Sequence, residues 1–107
     1  MKKDKYVEMN IDEMKSIKAI FRIRLKSYAN KLKQAPNVAL KESYSECVRL
    51  IKHIIDIYKD LIDLGENCEL EENYFKTKIK EIQRLHNALQ QEEKRIERLI
   101  INNHFGL

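Results

Sequence analysis

The chain has 107 residues, with 21 Lys or Arg against 17 Asp or Glu, a net charge of +4 and 43% apolar side chains. That is one domain's worth of polypeptide, apolar enough to bury a modest core and too apolar for a disordered chain. Two Gly, one Pro and no Trp leave almost no turn chemistry, which excludes a sandwich or barrel and points to a few long helices joined by short connections.

Residues 1–9 read as a flexible N-terminal segment; their lysines are not followed by the apolar run of a secretory signal. A first helix is predicted over 11–34, with Asn10 or Asp12 as its cap. Met14, Ile17, Phe21, Leu25, Tyr28 and Leu32 fall within an arc of about 80° at 3.6 residues per turn. Pro36 closes this helix, because the residue before a proline is pushed out of helical angles.

The second helix is predicted over 38–64, capped by Asn37. Its stripe of Leu40, Tyr44, Cys47, Val48, Ile51, Ile54, Ile55, Tyr58, Leu61 and Ile62 is wide enough to meet two neighbours. Gly65 is expected to end it at the position where left-handed angles are needed. The third helix is predicted over 69–103. Phe75, Ile82, Leu89 and Ile96 repeat every seven residues, with Leu85 and Leu99 between them. That is a coiled-coil-like seam, interrupted by Lys78 and Glu92.

Short turns force neighbouring helices antiparallel. The expected fold is therefore one domain over 1–107, all-α, an antiparallel three-helix bundle with long helices and a coiled-coil-like third helix. Folding at Pro36 and near Glu66 would stack Ile17 with Ile54 and Ile79, Phe21 with Ile51 and Ile82, and Tyr28 with Tyr44 and Leu89.

Charge supplies the strongest functional signal. From Met14 to Lys41 there are eight Lys or Arg and no Asp or Glu, and a localised positive field attracts phosphates or acidic surfaces. On a helical wheel Lys15, Lys18, Arg22, Lys26 and Lys33 form one stripe beside the apolar face of the first helix, with Arg24 and Lys31 on the other side. Opposite the core lie Ser16, Ala19, Ile20, Ile23, Ser27 and Asn30, an uncharged strip between two basic rails. The residues expected to bind a partner are Lys15, Lys18, Ile20, Arg22, Ile23, Lys26 and Lys33. The partner would be an acidic protein surface or a second copy of the chain, as in inhibitors, adaptors, antitoxins or immunity proteins of phages and mobile elements. Nucleic acid is the alternative, through phosphates alone. The aromatic platforms used for single strands are missing from this face, since Phe21 and Tyr28 point to the core.

Little in the sequence suggests catalysis. His53, His86 and His104 have no metal-ligand spacing with each other or with Cys47 and Cys68, and no cofactor, metal or membrane contact is expected. The two cysteines lie roughly 25 Å apart along one helix, beyond disulfide reach, as befits a cytoplasmic protein. The expected register puts Cys47 opposite His86 without a third group to orient them. Glu92, Glu93 and Glu97 read as a solvated face with Lys94 and Arg95. Arg98 and His104, with five residues between them, resemble the arginine–histidine motif of HEPN-type ribonucleases, which are small helical proteins. That resemblance implies RNA cleavage, although Leu99 stands where the family usually has a polar side chain.

Ile51 occupies the centre of the expected core. Ile51→Lys should bury an unpaired ammonium at a cost of several kcal/mol, enough to unfold a small bundle. Circular dichroism melting would check this; a normal melt would mean that the core face of the second helix is misassigned.

Overall fold

The computed structural model describes the backbone of residues 2–105 and the side chains of residues 11–102. Three helices follow one another, α1 (Lys2–Lys33), α2 (Val38–Glu66) and α3 (Glu72–Phe105). They form the expected all-α antiparallel bundle, a rod of 60 × 20 × 16 Å. No helix among the described residues is long and apolar enough to cross a membrane.

The buried residues of α2 run from Leu40 to Gly65 and span an arc of about 160° on the helical wheel. One edge of that arc, with Tyr44 and Ile62, meets α1. The other lies beside His53 and Asp60, which reach Glu81 and Tyr74 of α3. α2 therefore packs closely on both neighbours, while α1 and α3 approach each other more loosely, through side chains. The α3 seam of Phe75, Ile82, Leu89 and Ile96 is buried throughout. Its two charged interruptions are half-buried and find partners one turn on, Lys78 with Glu81 at 3.4 Å and Glu92 with Arg95 at 3.7 Å.

Three boundaries differ from expectation. α1 starts at Lys2 and not near residue 11, so the segment 1–9, expected to be flexible and outside the helix, belongs to it from residue 2 onward. Residues 2–13 contain no Gly or Pro and half of them are good helix formers, so Asn10 and Asp12 have no break to cap. α3 starts at Glu72 and not at Glu69, because Leu70 is first tucked into the core. The Glu71 carbonyl then accepts the first helical bond, from the Phe75 N–H at 2.9 Å.

The third difference is at the end of α2. Gly65 is buried inside the helix, and the left-handed residue is Cys68, with φ 56°. The Glu69 N–H donates to the Leu64 carbonyl (2.8 Å) and the Cys68 N–H to the Gly65 carbonyl (3.1 Å). These two bonds make a Schellman ending that satisfies carbonyls the helix would leave open. At the opposite end of α2, Asn37 is the cap its side chain suggests, accepting from the Leu40 N–H at 2.9 Å.

The layers are shifted between α1 and α2. Tyr28 meets Tyr44 with ring centres 6.1 Å apart, as expected, but Phe21 stacks on Tyr58 at 6.4 Å rather than on Ile51.

A cysteine in left-handed angles carries a Cβ clash that glycine lacks. Cys68→Gly should raise stability by about 0.5–1 kcal/mol, a gain of a few degrees in Tm, whereas Cys68→Ala should leave the Tm unchanged. Thermal melts of both variants measure the difference.

Candidate partner interface

The outward face of α1 is open to solvent as its sequence suggests. Ile20 is 57% exposed and Ile23 69%, with Ser16, Ala19, Ser27 and Asn30 exposed around them. The helix turns this face out because its apolar arc of Met14, Phe21 and their partly buried neighbours is fully used against α2 and α3.

The seven residues expected at the site do not form one surface. Lys15, Lys18 and Arg22 line an open groove of about 300 Å³ between α1 and α2, together with Ala19, Ile62, Asp63 and Glu66. Lys15 is already paired with Glu66 at 3.1 Å, and Lys18 is half-buried. Ile20, Ile23, Lys26 and Lys33 stay on the exposed exterior. Lys26 and Lys33 have no ionic partner among the described residues. Asp63 and Glu66 are the residues that sequence reasoning missed here. Placing them beside the basic stripe requires the α1–α2 offset, which the hydrophobic pattern does not reveal.

The second basic rail is largely committed inside the molecule. Arg24 Nη2 donates to Glu93 Oε2 at 2.8 Å, and its guanidinium lies 5.1 Å from the centre of the Phe21 ring. The Tyr28 hydroxyl donates to the same Glu93 oxygen, while Lys31 Nζ sits 5.3 Å from the Tyr28 ring centre. Glu93, expected on a solvated face, is thus half-buried and held by two residues of α1. Glu92, also expected on that face, has one carboxylate oxygen buried without a hydrogen bond. Burial, then the bonded Glu93 carboxylate, pushes the Tyr28 phenol well above its usual range.

Acidic residues collect at the far end of the rod. From Asp60 to Glu72 the chain carries six Asp or Glu and no Lys or Arg. The α1–α2 turn, by contrast, is flanked by Lys31, Lys33 and Lys41.

The arrangement offers little chemistry. Cys47 is fully buried, and burial, with Glu93 and Glu92 nearby, pushes its thiol up to about 12. His86 packs edge-on against Phe21, ring centres 6.2 Å apart. Arg98 is exposed, and the His104 side chain lies outside the described residues. No cluster of three or more His, Cys, Asp or Glu that could hold a metal ion occurs among the described residues. No protein-family profile, curated protein or solved structure matches this chain.

Cys47 and Cys68 should behave differently toward a thiol reagent, since only the thiolate reacts and only Cys68 is exposed. One thiol per native chain should titrate at neutral pH, and the second only after unfolding. The thiolate of Cys47 is disfavoured in the folded chain alone. Its contribution to stability is therefore whole below the unfolded pKa of roughly 8.5 and is lost as pH rises toward the folded value. Rapid native labelling of both thiols would show that the core around Cys47 opens.

Proposed function

We propose that this protein acts without catalysis, by stoichiometric binding of a negatively charged macromolecular partner through the outward face of α1. The observation that carries this reading is the pair Ile20 and Ile23, well exposed on a surface whose flanking charges are all positive. Isolated exposed apolar residues are ordinary. Two isoleucines on adjacent turns of one helix, ringed by small uncharged side chains and framed by unpaired lysines, have the composition of a docking surface. Such a role would be regulatory, of the inhibitor, adaptor, antitoxin or immunity type.

The run of eight basic residues without an acid also supports a second reading, in which phosphates of a nucleic acid follow α1. That reading draws on Lys15, Lys18 and Arg22. These share their groove with Asp63 and Glu66, which lowers the positive potential there, so the protein-docking reading is the stronger.

Co-purification of the tagged protein from cells tests the proposal. A stoichiometric macromolecule should co-elute with the wild type, and Ile20→Asp with Ile23→Asp should weaken its retention by roughly thirtyfold, the scale of an interface hot spot. Fluorescence anisotropy with labelled duplex DNA and single-stranded RNA examines the second reading. Micromolar binding that falls steeply with salt and is abolished by Lys18→Glu with Arg22→Glu would move it ahead. Retention unaffected by either pair of substitutions would end both.

A further inference from the structure

Ser16, Ile20, Ile23, Ser27 and Asn30 are all exposed, and their spacings are four, three, four and three residues. Those are the spacings of the a and d positions of a coiled coil, on the side of α1 facing away from the bundle, with isoleucine at the central pair and small or polar residues around it. A nucleic-acid duplex has no use for such a seam, whereas a second helix fits it. Counting Ile20 as an a position, Arg24 and Lys31 fall at e, and Lys26 and Lys33 at g. Every residue at e and g from Arg24 onward is therefore basic.

Resting on the reading above, we propose that the occupant of this face is an acidic amphipathic helix of another protein, lying along α1 with its apolar seam on Ile20 and Ile23. Residues at e and g set partner choice in paired helices through their charges. In a parallel pair a second copy of α1 would bring Lys26 against Lys31, so like-charge repulsion disfavours it. A partner with Glu or Asp at those positions turns the repulsion into attraction. Glu93 already neutralises Arg24, so the unpaired charge is greatest at Lys26 and Lys33. The partner's acidic residues are thus expected mainly along that g side.

The probe is a labelled synthetic peptide of four heptads with Leu at a and d and Glu at e and g; its own glutamates keep it from self-pairing. A control peptide carries Lys in place of Glu. Fluorescence anisotropy with the full chain should show saturable binding of the acidic peptide and none of the basic one. Ile20→Asp with Ile23→Asp should weaken binding by roughly thirtyfold, and Lys26→Glu with Lys33→Glu by roughly tenfold. Lys59→Glu, an exposed site on α2, should change nothing. Circular dichroism verifies that each variant is folded.

Any of the following results would overturn the proposal. Equal binding of both peptides, or acidic-peptide binding indifferent to the isoleucines, would remove the seam. Self-association in sedimentation that is lost in the isoleucine variant would assign the face to a second copy. Absence of peptide binding, together with duplex DNA binding that depends on the lysines but not on the isoleucines, would leave α1 a macromolecule-binding helix of a different kind. Binding of neither peptide nor DNA would bring down the broader reading as well.

Discussion

The bundle depends on the breadth of the apolar face of α2. A helix whose buried arc covers about 160° must be covered by two neighbours, and α2 gives one edge of that arc to α1 and the other to α3. Neither outer helix has an arc of comparable width. Each satisfies its apolar residues largely on α2 and has little left for the other. The loose approach of α1 and α3, and the open groove floored by Phe21, Tyr58 and Ile82 between them, follow from that allocation. So does the freedom of the far side of α1, where Ile20 and Ile23 find nothing to cover them.

What joins α1 to α3 is chiefly polar. Glu93 accepts from Arg24 and Tyr28 at once, and hydrogen bonds to a charged group are worth about 1.5–3 kcal/mol each when partly shielded from water. The same contacts shape the outer surface. By committing Arg24 internally, Glu93 makes the two sides of the α1 strip unequal, so a face symmetric on the helical wheel becomes one-sided in charge.

Much of this was legible in the sequence because it rests on periodicity. The seam of α3, the Asn37 cap, the exposed strip of α1 and all of the α2 stripe but Val48 follow from residue types at helical spacing and are found where they were expected; Val48 is only half-buried, and the buried face of α2 extends instead to Leu50 and Ile57. What the pattern could not supply was information between helices. Which residue of one helix faces which of the next, as in Phe21 on Tyr58 and Lys15 on Glu66, is a register that hydrophobic spacing does not set. Glu93 looked solvated because its partners are almost seventy residues earlier. Gly65 was a reasonable helix stop by type, yet it is buried inside the helix, and Cys68 takes the left-handed angles instead. The early start of α1 was missed for the opposite reason: capping residues were present, but nothing broke the helix they would have capped.

The distribution of charge along the rod has a mechanical consequence. The acidic stretch from Asp60 to Glu72 lies at one end, and Lys31, Lys33 and Lys41 lie around the turn at the other, some tens of ångströms away in a body 60 Å long. The molecule therefore carries an electric dipole moment along its long axis. Near a negatively charged body it experiences a torque before it experiences contact, turning its basic end forward over distances of the order of the Debye length, about 8 Å in physiological salt. Encounters with such a body are biased toward the half of α1 that holds Lys26 and Lys33.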